Sequence, residues 1–369
     1  MLAPAAPPGS GRLPAVELPY LTADILGIGG VLRTTDDDFV VDEEPAYLPS
    51  GAGDHVYIHI EKRGLTTRHA AAAIARALDV NERDIGIAGM KDRHAVTRQW
   101  LSLPPPLTPE AARALVLDGI TILEASRHTN KLRTGHVRAN RFRLVVRGVT
   151  GGAAARAQQV LARLAEPPGA PNWYGEQRFG RDGDNAVKGR ELVTGVRRPG
   201  RDRKLDRLLV SSLQSELFNT WLRARIDDGL YRKVLAGDVL HKKNGGMFTC
   251  EDPATDEARL LAGELVVTGP MFGDSMRRAG EGTPAAEREL AILTAAGLLP
   301  GSFAKVRQLA EGTRRDASIE VAAVAVTAVA DDSTLEVAFT LPGGAYATAV
   351  MREVMKTVPQ RVDDTPEAA

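Results

Sequence analysis

The strongest constraint on this chain is a change of texture along its length. Up to about residue 165, strand-like and helix-like runs interleave. "FVVDEE" (39–44) and "HVYIHI" (55–60) look extended, and in the second Val56, Ile58 and Ile60 alternate with polar neighbours as one buried sheet face requires. "RHAAAAIARALDV" reads as an Ala-rich helix that Thr66 or Thr67 can cap. "DIGIAGM" reads as a short apolar strand and "RQWLSL" resumes extended structure. "PEAARALVLDG" is helical with Pro109 near its start, and "ITILEA" and "RFRLVVRG" are strands again. A Pro-, Gly- and Asn-rich break, "AEPPGAPNWYGEQRFGRDGDN", follows. After it "DNAVKGRELV", "LDRLLVSSLQSELFNTWLRARIDDGL" and "PAAERELAILTAAG" are helical, with Leu208, Leu209, Leu213, Leu217 and Phe218 at core-packing spacing. Strands return in "IEVAAVAVTAVA" and "LEVAFTLP", and "AYATAVMREVMKTV" closes as a helix. Strand-rich ends around a helical middle predict an α+β domain interrupted by an insertion. The expected divisions are an unstructured lead over 1–16, a first part over 17–169, an inserted domain over 170–322 and a C-terminal return over 323–369. The final "DDTPEAA" is expected to be loose.

Composition excludes several classes. With 369 residues, 43% of them hydrophobic, the chain can build a real core and two domains. Its single cysteine, Cys250, rules out an internal disulfide framework and a cysteine-built zinc site. No apolar run reaches membrane-spanning length, and the opening "MLAPAAPPGSGRLPAVELP" lacks the pattern of a secretory signal, so a cytoplasmic protein with no membrane partner is expected. Lys plus Arg and Asp plus Glu balance at 47 each, which argues against a uniformly nucleic-acid-coating protein but leaves local patches open. Arg outnumbers Lys, as GC-rich coding would give. His55 and His59 stand four apart on a strand pattern, so they read as sheet residues, and no metal is expected.

"GMKDRHAVTRQW" (89–100) carries the first chemical signal. Asp92 follows the strand "DIGIAG", and Gly89 permits a tight exit from it. A carboxylate at a strand end, kept anionic by a nearby cation, can act as nucleophile or base. The competing reading pairs Asp92 with Lys91 or Arg93 on a solvated turn. Schiff-base chemistry at Lys91 is disfavoured, because it wants a desolvated amine away from carboxylates.

The run "RHTNKLRTGHVRANRFR" (127–143) holds Arg127, Lys131, Arg133, Arg138, Arg141 and Arg143 with no acidic residue. Phe142 lies among them, so the run fits a phosphate-tracking surface with a ring for base stacking; a solvated edge strand is the bland alternative. A second cluster, "RRPGRDRKLDR" (197–207), is diluted by Asp202 and Asp206 and counts for less. "PNWYGEQRFG" (171–180) is either a functional loop or a clasp between domains. In "LPGGAYATAVMRE", Gly-Gly opens a helix that reads better as a capped core helix than as a phosphate site.

Together these segments resemble the TruD family of tRNA pseudouridine synthases. The matching stretches are "DFVVDEE" (38–44), "EKRGLTT" (61–67), "AGMKDRHAVTRQW" (88–100), "KLRTGHVRANRF" (131–142), "NWYGEQRFG" (172–180), "LFN" (217–219) and "LPGGAYATAVMRE" (341–353), in family order.

The resemblance implies a pseudouridine-synthase fold, with a mixed, mainly antiparallel β-sheet and flanking helices, and an inserted, mainly helical TRUD domain. It implies an isomerase that detaches uracil from ribose C1′, turns it and rejoins it through C5, most simply at uridine 13 in the D arm of tRNA, with the nucleotide flipped out. It carries the catalytic role to Asp92 and supporting roles to Arg33 and Lys91. The family commonly has Lys where Arg33 stands, so the charge is kept on a bulkier, forked group. Phe142 matches the ring that stacks on the target uracil, Asn140 its neighbour in the pocket, and Phe39 a second pocket residue. Lys131, Arg133, Arg138, Arg141 and Arg143 are the expected RNA contacts. Trp173 stands where Tyr is usual. No cofactor or metal is implied, tRNA is the partner, and a monomer is expected. The alternative is a tRNA-binding folding aid without catalysis.

Overall fold

The computed structural model describes residues 18–329 and 333–357, so the expected lead over 1–16 and the loose tail lie outside the described residues. The chain divides into two compact units. One comprises Thr22–Ala170 with the chain from Ile319 onward; the other comprises Pro171–Ser318 with the segment that ends at Leu21. Residues 18–21 therefore do not join the sheet-bearing unit that the residues after them build. Leu18 and Leu21 pack on an apolar cluster of the inserted unit, which decides where this segment goes.

In the first unit the strands are β1 (Gly29–Leu32), β2 (Phe39–Pro45), β3 (His55–Arg63), β4 (Gly86–Ile87), β5 (Val96–Leu103), β6 (Ile120–His128) and β7 (Val137–Val149). Its helices there are α1 (Thr67–Ala77), α2 (Pro109–Arg113) and α3 (Ala153–Ala165). The chain leaves through β8 (Ala170–Pro171) and passes α4 (Asn185–Thr194), α5 (Arg203–Asp227), β9 (Val239–Lys242), β10 (Met247–Thr249), α6 (Pro253–Leu261), β11 (Leu265–Met271), α7 (Pro284–Ala295) and β12 (Thr313–Asp316). It returns through β13 (Ser318–Ile319) to β14 (Ala322–Ala328), β15 (Thr334–Pro342) and α8 (Ala347–Met355).

The nine-stranded sheet runs β14-β15-β7-β2-β5-β3-β6, with β1 added on β7 and β4 on β5. Among the described residues of this sheet only β2 and β5 pair in parallel; the other neighbours are antiparallel. Period-2 patterning explains its inner face. Val56, Ile58 and Ile60 of β3 pack with Leu101 and Leu103 of β5 against Ala70, Ala71 and Ile74 of α1. Each fully buried Ile or Leu there contributes roughly 1.5–3 kcal/mol. Thr66 starts α1 by accepting from the His69 amide at 3.1 Å. Helix α3 lies on β14 and β15 and packs against α8. The opposite face is a lattice of charge: Arg98 reaches Asp42 and Glu61, both at 2.9 Å, and Arg141 reaches Glu44 at 2.8 Å.

The inserted unit is built on α5. Leu209, Leu213 and Leu217 pack with Phe272, Leu293 and Phe303, while Leu208, expected in that core, is exposed. Its position faces away from the stripe that the other leucines define. The unit also carries a four-stranded antiparallel sheet, β10-β9-β11-β12, which the helical reading of the middle segment missed. These strands are three to seven residues long, too short for alternation to stand out.

Candidate active site

At one end of the sheet the inner face turns from apolar to polar. Lys62 takes the next inward position of β3 after Ile60, opposite Thr97 of β5, and Gln99 stands opposite Ile60. Glu43 continues the inward face of β2 after Phe39 and Val41, opposite Asn140 of β7; Val41 stands opposite Phe142. Lys62, Thr97, Gln99, Glu43 and Asn140 are all buried. Buried polar side chains at core positions of five adjacent places need a reason, and the loop after β4 supplies one.

That loop carries the motif Gly-Met-Lys-Asp. The strand before it covers only Gly86 and Ile87, shorter than the sequence pattern. Gly89 has no left-handed backbone, and a Cβ there would make ordinary contacts of 3.4 Å or more, so its expected role in a tight exit is not what shapes the loop. Hydrogen bonds do so instead. The Lys91 amide donates to Thr67 Oγ1 at 2.8 Å, and that hydroxyl donates to Gln99 Oε1 at 2.9 Å. Lys91 Nζ pairs with Glu43 Oε2 at 2.5 Å, while Glu43 Oε1 accepts from the Trp100 amide at 3.2 Å. From beneath, Lys62 Nζ donates to the carbonyl oxygens of Leu65, at 2.5 Å, and of Asp92, at 2.8 Å.

The side chain of Asp92 turns outward to Arg33, with Nη2 to Oδ2 at 2.6 Å. The carboxylate side chain is 45% exposed and the guanidinium 15%. A pair this open adds at most about 1 kcal/mol to stability, so its effect is orientation. Arg33 itself has φ 61°, the left-handed region that non-glycine residues avoid. Its guanidinium lies 4.0 Å over the Phe39 ring. Phe39 meets Phe142 edge-on at 6.3 Å, and Phe142 leans on Phe339 at 5.5 Å. Carboxylate, guanidinium and two rings thus form one continuous line.

Lys91, expected beside Asp92 as support, is committed to Glu43 and holds the loop, not the carboxylate. Asn140 is 8% exposed, and among the described residues its Oδ1 has no hydrogen-bond partner. The basic run divides. Arg141 and Arg143 alternate with Asn140 and Phe142, leave from the opposite face, and pair with Glu44 and Glu336. Arg138 also reaches Glu44, at 2.7 Å. Arg133 and His136 belong to a turn whose Gly135 amide bonds the Ala88 carbonyl, next to the motif loop. Lys131 Nζ donates to the Arg83 carbonyl.

Lys62, Glu43 and Gln99 were missed from sequence. The signal was present: extending the Val56, Ile58, Ile60 alternation by two places lands on a lysine. The Lys62 pKa falls from 10.5 to about 8, chiefly through burial, with Asp92 and Asp36 opposing the fall and Lys91 adding to it.

The aromatic-rich stretch 171–180 proves to be a clasp inside the inserted unit. Asn219 of α5 accepts from the Tyr174 amide and donates to its carbonyl, at 3.0 and 2.9 Å, and Arg178 Nε bonds Ser215 at 3.2 Å. Helix α8 is a core helix, with Val350 and Val354 fully buried, though Tyr346 at its start makes no side-chain cap.

A loop carboxylate held by a guanidinium beside paired phenylalanines is an arrangement that can carry nucleophilic or base chemistry on a flat ring. The family description "tRNA pseudouridine synthase D (TruD)" matches residues 15–197 and 201–354. The chain is 53% identical over 346 residues to the tRNA pseudouridine synthase D of Anaeromyxobacter dehalogenans, covering 92% of this chain and 97% of the relative. It is 43% identical over 342 residues to that of Thermus thermophilus, covering 92% of each. A crystal structure from Methanosarcina mazei, assigned to tRNA pseudouridine synthase D, shares the fold with a TM-score of 0.75 at 22% identity, over 90% of this chain and 95% of that one. The chain belongs to the TruD family.

Proposed function

We propose that this chain is a tRNA pseudouridine synthase, an isomerase, that converts uridine 13 of the D arm with Asp92 as its catalytic carboxylate. The observation that carries the assignment of Asp92 is its 2.6 Å pairing with Arg33 at the head of the line through Phe39 to Phe142. The reaction breaks the N1–C1′ bond, forms C5–C1′, loses the C5 proton and gains one at N1. Product and substrate are isomers, so electrons balance without an external oxidant or reductant. Attack on C1′, attack on C6 and removal of the C2′ proton all begin from a carboxylate, and Arg33 orients that of Asp92.

In this reading Phe142 stacks on the flipped uracil, Phe39 backs it, and the unpartnered oxygen of Asn140 accepts from a base N–H once the pocket is filled. Lys91 acts through Glu43 by fixing the loop. Arg133 supplies a phosphate contact on the pocket side, with Lys131 next along the same loop, while Arg138 shares Glu44 with Arg141. Arg141 and Arg143 serve phosphates only from the other face, against the competing pull of Glu44 and Glu336.

Asp92→Asn tests the assignment. Pseudouridine formation at position 13 should fall by at least a thousandfold while tRNA affinity stays within a few-fold. Wild-type turnover in that variant removes Asp92 from the chemistry, and a tRNA bound tightly but never converted by the wild type favours the folding-aid alternative.

A further inference from the structure

The inserted unit carries a second concentration of positive charge, and the structure changes its weight. Over 197–207 the loop and first turns of α5 expose Arg197, Arg198, Arg201, Arg203, Lys204 and Arg207. The two aspartates that dilute this run in the sequence are turned onto backbone amides. Asp202 caps α5 by accepting from Lys204 N and Leu205 N at 2.9 and 3.1 Å. Asp206, 2% exposed, accepts from the Gly200 amide at 2.7 Å.

A second segment joins the first. Arg207 Nη2 donates to the Gln308 carbonyl at 3.4 Å, and Lys305 Nζ lies 3.8 Å from the Cβ position of Gly195. Lys305 and Arg307 are exposed there, on a stretch, 302–310, without one acidic residue. Among the described residues, no carboxylate lies within ion-pair distance of any of these eight cations. By contrast, three of the six in the basic run on and before β7 pair with a carboxylate, and two more bond a backbone carbonyl. Between the two segments lies a cavity of about 270 Å³ lined by Pro199, Arg203, Lys305, Arg307, Gln308 and Leu309. Small-molecule sites are larger and mostly apolar, roughly 300–1,000 Å³. Unpaired guanidinium forks around a small polar hollow suit phosphate oxygens.

We propose that this patch is an RNA-binding surface of the inserted unit, taking backbone phosphates of the same tRNA whose uridine is modified. The proposal rests on the tRNA reading above. Its occupant is chosen by charge: a folded RNA carries a phosphate at every residue, and cations left without carboxylates bind them with release of counterions.

The experiment compares the full-length wild type with an Arg198→Glu, Arg201→Glu, Lys305→Glu, Arg307→Glu variant and with the same four positions carrying the alternative cation. All four side chains are exposed, and unchanged thermal unfolding checks that the fold is kept. The charge-reversed variant should bind tRNA at least tenfold more weakly at 0.1 M salt. Its plot of log affinity against log salt should flatten by about 1.5 to 3, since each lost phosphate contact removes roughly 0.7–0.9. KM should rise with kcat unchanged, and the cation-swapped variant should behave as wild type. An unaltered slope and KM overturn the proposal, as does an equal loss of affinity for polyglutamate, which marks an indifferent polyanion surface. Should the wild type convert no tRNA uridine, the enzymatic reading is lost, and the patch is still decided by the salt slopes.

Discussion

Lys62 Nζ, fully buried, donates to the main-chain carbonyl of Asp92 at 2.8 Å. A lysine thus fixes the backbone of the residue whose carboxylate faces Arg33, and it does so without touching that carboxylate. If Asp92 is the catalytic carboxylate proposed above, Lys62 is a positioning residue.

Lys62→Met should lower kcat by about tenfold to a hundredfold with KM little changed, because displacement of a reacting group by an ångström costs on that order. Lys62→Arg should not rescue, since the fork does not fit where one ammonium meets two carbonyls. A separate signature lies in stability. With the folded pKa near 8 and the ordinary value 10.5, the unfolded chain holds the proton more tightly between them. Stability from this group therefore rises as pH increases from about 8 to 10.5 and is flat below 8. Denaturant titrations across that window should lose this rise in Lys62→Met. Wild-type kcat in that variant leaves Lys62 a core residue only.

Arg33 combines a left-handed backbone with the ion pair to Asp92. Arg33→Gly should relieve about 1 kcal/mol of backbone strain, offset by loss of the contact over Phe39, so the melting temperature stays within a few degrees. Turnover should nevertheless fall by about a hundredfold. Arg33→Lys restores the charge and should recover most of that loss. Equal turnover in all three proteins would detach Arg33 from the carboxylate's orientation.

Glu43 and Lys91 form a pair whose side chains are 0% and 8% exposed. Glu43→Gln leaves a buried ammonium without its counter-charge and should destabilise the unit by about 3–5 kcal/mol, read from the urea midpoint. Adding Lys91→Met should return a large part of that stability without returning activity. A single variant as stable as the wild type would mean that Lys91 reaches water.

Much of this was legible in the residues, for identifiable reasons. Alternation marked β3, and the Pro- and Gly-rich break lies where the chain crosses at Ala170–Pro171. The loop that carries Asp92 stood out because a charged cluster abuts an apolar strand. Lys62 and Glu43 were not, because alternation was read only while its residues stayed apolar; the same period, followed into the polar end, points at both. The sheet of the inserted unit was hidden by brevity. Nor could composition weigh the 197–207 cluster, since whether Asp202 and Asp206 neutralise their neighbours depends on which amides they face.

Strand β15 lies between β14 and β7, and its Phe339 supports the ring of Phe142. Every residue of the inserted unit from Pro171 to Ser318 leaves the ribosome before this strand does. Until then β7 has a bare edge, Phe142 lacks its backing, and the sheet waits two strands short. A nascent chain therefore cannot complete the ring cluster of Phe39, Phe142 and Phe339 ahead of the inserted unit; the support under Phe142 comes late, with a strand that contributes neither Asp92 nor Arg33.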